Sequence, residues 1–565
     1  MRYFLWCAGK WMALLLLFAS VVLAQSPQEI GRRLILQSQR AALDGEVERA
    51  TRMLEEGLEY PLPEPFVDSL LLDIGDILTD RQKKQLRSSD DRLTFLRRFW
   101  READPTPATP ENERYMEHYQ RLAYARDHYP SAGPRGYDDR GMIYVRFGPP
   151  DEVFVQPSDN FFRGTESWLY HRLGNVSFDF IEFGATYELS SDFRRALVAV
   201  PFDLHDQIRI MRDFFAERSE LGLAYSRIYD RFQDALDRER TGGQPLDLLM
   251  VNQVISEFVN DVENVHEKLP ASATDVGREA KPLRFGFSFA RFFDRQGNRL
   301  ELYYGVPLHE LKFETGEDGW LHSTLEIAFR ILDPALNPVV QDRKIIPLRV
   351  RDRAALDTTD YVGQLTFFLQ PDSYRVAVQM SNPESRKKQY FALRIPLTAY
   401  PSGRLDLSDL QFARRVISDT SHLERRAING EAHGFLKREY FVEPYPYTLL
   451  TTDQAVELYY EVYNLATDKK GRSRYRIEYR IAGEKHSGGL GGLLKALNPF
   501  GQRSRTSITT TYRREASGDL QREVLKLDFG DLSPGNYMLR VTLTDELSEQ
   551  HSVRVKRFRL LRGGK

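Results

Sequence analysis

The apolar residues of this chain change their spacing along its length, and each change predicts a change of element. From Pro27 to about Tyr129 they recur at helical intervals, in "EIGRRLILQSQRAAL" and again in "DRLTFLRRFWREA", with Asp44-Gly45 breaking the first stretch. In "DPTPATPENERYMEHYQRLAYARDHY", Thr109 can cap a helix with Pro110 at its first position and Glu111 and Glu113 in its first turn. That predicts a helix from Pro110 to about Tyr129. Beyond it the period drops to two: Ile143, Val145 and Phe147 alternate with Met142, Tyr144 and Arg146. The same alternation carries Trp168 and Tyr170, then Val176, Phe178 and Phe180, with a hairpin turn at Leu173-Gly174-Asn175-Val176. A small antiparallel sheet preceded by helices is the expected result. Residues 203–268 return to helical spacing, broken by "TGGQP" at 241–245.

The C-terminal half contains an internal echo. "LELYYGV" at 300–306 recurs as "VELYYEV" at 456–462, "IAFRI" at 327–331 as "IEYRI" at 477–481, and "PDSYRVAV" at 371–378 as "PGNYMLRV" at 534–541. Three matches in one order predict two tandem β-sandwiches of related topology. Tyr475, Ile477, Tyr479 and Ile481 form an inward row, and Arg474, Arg476, Glu478 and Arg480 an outward, solvated one. In the last strand Val553 and Val555 differ in parity from Phe558 and Leu560, which predicts a bulge near Lys556 and Arg557. The segment 483–505 is long and apolar for a hairpin loop and is expected to be a flexible excursion or a contact element.

Composition narrows the class. Arg2 and Lys10 precede or flank the apolar run Trp11 to Ala24, "WMALLLLFASVVLA", in the pattern of an export signal cleaved after Ala24. The run is shorter than the ~20 apolar residues of a membrane helix, so no transmembrane anchor is expected in the mature chain. Removing it leaves a net charge of about −4, too balanced for a nucleic-acid binder. The single cysteine, Cys7, lies before the apolar run, so neither a disulfide nor a lipidated cysteine is expected.

Candidate chemistry is sparse. The eleven histidines form no compact ligand set, and no nucleophile elbow, phosphate loop or dinucleotide fingerprint occurs, so no metal or cofactor is expected. "DRQGNRLE" at 294–301 and "NLATDKKGRSRY" at 464–475 lack the alternating acids of calcium loops and read as hairpin turns. His118 and His128 are expected in capping or surface roles. The densest cluster is "GYDDRGMIYVRFGPPDEV" at 136–153, where Asp138, Asp139, Arg140, Asp151 and Glu152 lie near Glu166 and His171. Carboxylates this close can divide acid-base work if burial or repulsion raises one pKa, which makes Asp138, Asp139 and Glu152 the catalytic candidates. The structural alternative has the acids shaping turns around a strand, with Arg140 pairing one of them. Trp100, Trp168 and Tyr144 line a ligand groove on the first view and fill a core on the second.

"FWREADPTPATPENERYMEHYQRLAYARDHY", "YDDRGMIYVRFGPPDEV" and "ESWLYHRLGNVSFDFIEFG" together resemble the GWxTD domain of exported bacterial proteins over roughly residues 85–195. "ELYYEVYNL" and "SPGNYMLRVTL" resemble the β-sandwiches that accompany it. In place of the eponymous motif the chain carries Arg135-Gly136-Tyr137-Asp138-Asp139, where a one-residue deletion pairs Gly136-Tyr137 with the family's Gly-Trp. The resemblance implies an envelope protein without an assigned activity. The expected architecture is multidomain α+β: a signal peptide at 1–24, a helical region at 25–84, the GWxTD-like α+β module at 85–200, a helical segment at 201–275, and Ig-like sandwiches at 276–415 and 430–565. The expected function is non-catalytic recognition of an envelope protein partner, in the periplasm or outside the cell, with Asp139, Arg140, Tyr144, Asp151 and Trp168 as binding candidates. An envelope hydrolase using the acidic cluster is the alternative. Oligomeric state is left open.

Overall fold

The structure is a computed structural model and describes residues 26–198, 203–242, 247–276, 281–294, 297–399, 402–418, 435–437, 439–483 and 507–563. The export-like segment and the insertion after Gly483 lie outside the described residues. The chain divides into two compact units, Met1–Glu279 and Ala280–Lys565. No helix among the described residues is long and apolar enough to cross a membrane.

The first unit opens with helices at the predicted spacing. Helix α1 (Pro27–Leu43) has Ser26 and Glu29 in a reciprocal capping box, and α2 (Val47–Gly57) folds back on it. Helices α3 (Glu64–Ile74), α4 (Asp80–Arg87), α5 (Arg92–Ala103) and α6 (Glu113–His128) follow. Their apolar faces meet in one core around Ile35, Leu54, Leu70, Trp100, Tyr115 and Leu122. The cap of α6 differs from expectation. Asn112 caps it, with Oδ1 accepting from Tyr115 N at 3.0 Å and Nδ2 donating to Trp100 O at 2.6 Å. Thr109 belongs to the turn before, where its N–H donates to Thr106 O.

The expected strand at 142–147 is instead helix α7 (Asp139–Phe147). Asp138 caps it, accepting from Arg140 N at 2.9 Å and Gly141 N at 3.4 Å. A Cβ on Gly141 would sit 2.6 Å from the Tyr137 Cβ, so the turn closes only on glycine. The alternation misled because the helix is buried on two sides. Ile143 and Phe147, one turn apart, pack on the sheet, while Val145 faces the helical core. Gly148 ends the helix at φ +78, and a Cβ there would meet the Arg121 guanidinium at 2.8 Å.

A four-stranded antiparallel sheet follows in the order β1-β2-β3-β4, with β1 (Glu152–Gln156), β2 (Thr165–Tyr170), β3 (Val176–Phe183) and β4 (Thr186–Leu189). The predicted hairpin between β2 and β3 is present, with Gly174 and Asn175 both at positive φ. One face, bearing Trp168, Tyr170, Phe178 and Phe180, packs on α7. The other carries Leu169 and Ile181 against α8 (Leu204–Ala216), α9 (Leu223–Arg240) and α10 (Leu248–His266). The result is three layers, with both sheet faces covered. The chain after α10 crosses back to the front, where Arg121 Nη1 donates to Ala273 O at 2.8 Å and Arg146 Nε to Ala271 O at 2.8 Å.

The second unit holds the two predicted sandwiches. The first is built from β5 (Gly286–Asp294), β6 (Gly297–Pro307), β7 (Leu321–Leu332), β8 (Pro338–Val350), β9 (Asp360–Leu369), β10 (Asp372–Asn382) and β11 (Lys387–Leu397). Sheet β9-β6-β5 faces sheet β11-β10-β7-β8 across a core that includes Leu302, Ile327, Val376 and Ile395. The second uses β12 (Gln411–Ile417), β13 (Val456–Tyr463), β14 (Arg472–Gly483), β15 (Ser507–Ser517), β16 (Gln521–Leu527), β17 (Gly535–Asp545) and β18 (His551–Leu561). Its sheets, β16-β13-β12 and β18-β17-β14-β15, repeat the first order strand for strand, and Tyr440–Pro444 extends the former beyond β12.

The echoed segments occupy equivalent strands: β6 and β13, β7 and β14, β10 and β17. Tyr374 and Tyr537 start equivalent strands, and each hydroxyl donates four residues back, to Gln370 O at 3.1 Å and Ser533 O at 2.7 Å. This is the tyrosine corner of immunoglobulin-like sandwiches. Of the two expected hairpin turns the first is present, with Asp294 paired to Gly297; the second instead joins β13 to β14 in the opposite sheet, and there Asp468 Oδ1 accepts from Lys470 N at 2.8 Å and Arg472 N at 2.9 Å.

The predicted bulge is absent. Strand β18 pairs with β17 without a shift from His551 to Leu560, so Ser552, Arg554, Lys556, Phe558 and Leu560 share one parity. Lys556 makes this possible by laying its stem along that face and donating from Nζ to Leu410 O at 2.8 Å, with burial pushing its pKa down to about 8. Arg554 does likewise through Asp406 at 2.7 Å.

A polar cluster joins the sandwiches. Lys437 Nζ donates to Glu301 Oε2, to Gln411 Oε1 at 2.6 Å and to Tyr303 OH at 3.1 Å, and lies over the Phe292 ring. Arg299 bridges Glu301 at 2.9 Å and Glu461 at 2.7 Å, while the Tyr459 and Tyr463 hydroxyls donate to Glu461. Glu301 and Arg299 belong to the first sandwich, Lys437 and Glu461 to the second.

Candidate functional site

The residues singled out in 136–153 separate into two groups at opposite edges of the sheet. Asp138 and Asp139, at the head of α7, grip edge strand β4: Asp138 Oδ2 accepts from Tyr187 N at 3.0 Å and Asp139 Oδ2 from Leu189 N at 2.9 Å. Asp151 and Glu152 lie at the start of β1, the other edge, with β2 and β3 between. The structure therefore brings Asp138 and Asp139 together and leaves Glu152 apart from both.

Arg140 is the hub of the first group. Its Nη2 donates to Asp138 Oδ2 at 2.8 Å and its Nη1 to Glu166 Oε1 at 2.7 Å, while the guanidinium lies 3.8 Å from the Tyr187 ring centroid. The Asp138 side chain is 2% exposed and that of Arg140 13%. Burial by itself would lower the Arg140 pKa, but its hydrogen bonds to Asp138 and the charge of Glu166 reverse this and leave it raised. The remaining Glu166 oxygen accepts from Trp168 Nε1 at 3.0 Å. Trp168 is thus a core residue wedged between Tyr129 and Phe180.

Beside this, Arg135 joins Asp76 and Asp139 at 3.2 Å each, and Tyr137 OH donates to Asp76 Oδ2 at 2.9 Å. Tyr137 is buried in the helical core after Gly136, which turns at φ +80. Tyr144 is half-buried and stacks at 4.3 Å on Tyr124, which stacks at 3.7 Å on His128, forming a surface ladder of three rings. At the β1 edge, Asp151 Oδ2 accepts from His171 N at 2.7 Å, and Glu152 meets His171 Nε2 at 2.9 Å. Hydrogen bonds to Asn175 and Glu152 raise the His171 pKa.

His118 departs from its expected capping or surface role. It is fully buried against Trp100, with Nε2 donating to Asp73 O at 3.1 Å. Burial, aided by the charges of Arg114, Arg121 and Arg126, holds its pKa well below the usual 6.5. The unfolded chain therefore binds the proton first as pH falls, and the stability His118 contributes above pH 6.5 is lost below it. Between pH 6.5 and 5 the wild-type protein should lose more thermal stability than His118→Gln, measured by tryptophan fluorescence. Parallel slopes would refute the assignment.

The back of the sheet holds a buried polar group that no spacing announced. Asp179 Oδ1 accepts from Ser167 Oγ and Tyr225 OH, both at 2.7 Å, and burial raises its pKa; its Oδ2 has no partner among the described residues. Arg218, fully buried, donates to Thr165 Oγ1 at 2.6 Å and Gln156 Oε1 at 2.8 Å, with burial pushing its pKa down to about 10. A cleft of about 810 Å³ opens nearby, between the β2–β3 turn and the facing ends of α9 and α10. Its Tyr225 and His266 are engaged inward, the latter at 2.7 Å from Ser177 O. Asp203, His205 and Asp206 form one loose group of possible metal ligands; Asp203 and His205 are exposed, and Asp203 caps α8.

Charges at the head of α7 are spent on holding helix to strand, and the acids fall at separate edges.

Residues 43–192 match the family model described as the GWxTD domain, a span that begins upstream of the resemblance at 85 and includes α2 through β4. No curated protein matches the chain.

Proposed function

From the GWxTD domain that residues 43–192 form, we propose that this chain is an exported, non-catalytic envelope protein whose first unit recognises a protein partner and whose paired sandwiches act as a spacer. One observation carries the reading: the charged motif is consumed internally. Asp138, Asp139, Arg140 and Glu166 each bond to a neighbouring element of the same unit, so these charges are engaged in holding the helix to the sheet. The surface the unit offers in its place is the ring ladder of Tyr144, Tyr124 and His128.

The test is fractionation followed by capture. The chain shortened at Ala24 should appear in the envelope fraction, and a full-length cytoplasmic product would overturn export. One envelope protein should then cross-link to the intact chain and be lost with Tyr124→Ala, which removes a ring from the ladder. Equal cross-linking by that variant would overturn recognition at this face. Hydrolysis of envelope peptide or glycan that disappears in Asp138→Asn, with folding intact, would establish the enzyme instead.

A further inference from the structure

The first sandwich has two unpaired strand edges that face one another. At Asp294 and Gly297 a hairpin sets the alternation of β5, and Arg291 N and Phe293 N leave the sheet for Asp409 Oδ2 at 3.0 Å and Tyr463 OH at 3.1 Å. Every second residue must do the same, so the N–H and C=O of Phe287 and Phe289 also point away from β6. They have no partner among the described residues.

Strand β11 is the facing edge. Lys388 N donates outward to Lys281 O at 3.0 Å, Leu283 N donates to Lys388 O at 3.3 Å, and Arg291 Nη1 reaches Pro396 O at 2.8 Å. By the same alternation the backbone of Ala392 and Arg394 points outward, also without a partner among the described residues. The chain lies against β11 at Lys281–Leu283 and then crosses as β5 to the other sheet, opening a slot between the edges. Two abutting clefts of about 400 Å³ each run along it, sharing Phe287, Phe391 and Thr448. The floor is aromatic, with the Phe287 and Phe391 rings 4.2 Å apart.

We propose that this slot receives an extended segment of another polypeptide as an added strand on β11, with apolar and acidic residues alternating. This goes beyond the proposed function, in which the sandwiches only space the first unit. Strand addition follows from the free donors and acceptors, since each outward pair on Ala392 and Arg394 can take one residue of a partner strand. The side-chain alternation follows from the two faces of β11. Residues of the incoming strand that turn inward meet Phe391 and Leu393, and those that turn outward lie beside Lys388 and Arg394. Asp409, the acid among the lining residues, is already held by Arg291 at 2.7 Å. Lone apolar strands or basic ones fit this edge less well.

The probe is a synthetic heptapeptide alternating phenylalanine or valine with aspartate, titrated onto the intact chain by fluorescence anisotropy. Binding is expected, weakening with salt. Ala392→Pro removes one outward N–H and leaves the β10 ladder intact, as Pro396 already does on the same parity. It should weaken binding about tenfold, the worth of one or two backbone hydrogen bonds. Arg394→Glu should abolish the preference for the aspartate peptide over a lysine-substituted one. A peptide N-methylated at alternate residues tests the same bonds without altering the protein and should not bind. Equal binding of the N-methylated peptide, or of the acidic peptide by a folded Ala392→Pro chain, would overturn strand addition. Equal affinity for lysine and aspartate peptides in the wild type would overturn the acidic partner. The proposed recognition by the first unit is read separately, from the Tyr124→Ala cross-linking.

Discussion

Asp138→Ala should destabilise the first unit by about 3–5 kcal/mol, the cost of removing one member of a buried ion pair. Three losses coincide at this side chain. The cap of α7 goes, leaving Arg140 N and Gly141 N without their acceptor. Tyr187 N loses its bond at 3.0 Å, which loosens edge strand β4. Arg140 keeps Glu166 but loses the partner at 2.8 Å that balances its burial. Asp138→Asn separates these effects, because its carbonyl oxygen retains the cap while the amide nitrogen cannot accept from Tyr187. An intermediate cost of about 1–3 kcal/mol is expected for it, as for a buried donor left unsatisfied. Urea unfolding of the intact chain, followed by fluorescence from buried Trp100 and Trp168, gives both values. A loss below about 1 kcal/mol for Asp138→Ala would show that the cluster does not hold helix to sheet.

The same residues show what a sequence reveals of such a module. Asp138, Asp139 and Arg140 stood out because they adjoin one another and lie near Glu166, but the backbone they grip, Tyr187 and Leu189, comes from a distant segment that no spacing connects. Asp179 and Arg218 are harder still, since an acid alternating with apolar neighbours in a strand reads as solvated until helices cover the second face. Helices with one wet face, α1 and α5, followed their periodicity. Helix α7 did not, because burial on two sides places apolar residues at a strand-like interval of two. The sandwiches were the most legible part. Each strand has one inward row, and the repeated Tyr374 and Tyr537 corners mark equivalent positions. The missing bulge in β18 turns on Lys556, whose long stem lets a charged residue occupy an inward position.

Glu301→Ala should be the most damaging single change in the second unit, again by about 3–5 kcal/mol. It removes the countercharge of Lys437, whose ammonium is buried among Phe292, Tyr303 and Tyr459 and keeps only neutral acceptors at Gln411 and Tyr303. Replacing both residues, Glu301→Leu with Lys437→Leu, should recover much of the loss, because a well-packed apolar pair avoids the desolvation of two charges. The pH dependence identifies the cause. Burial already lowers the Lys437 pKa below 10.5 against the pull of Glu301. The unfolded chain therefore binds that proton more tightly, and the stability linked to Lys437 grows as pH rises toward 10.5. Without Glu301 the folded-state pKa drops further, so the penalty should be largest near pH 7 and shrink as the solution approaches pH 10. A penalty that stays constant over this range would mean that Glu301 acts through Arg299 and Tyr303, its other partners at 2.9 and 2.5 Å, and not through Lys437. If instead the single variant costs as little as the double, the two sandwiches are held by their shared apolar contacts at Ala290, Tyr303, Val442 and Tyr459, and the ionic cluster only sets their register.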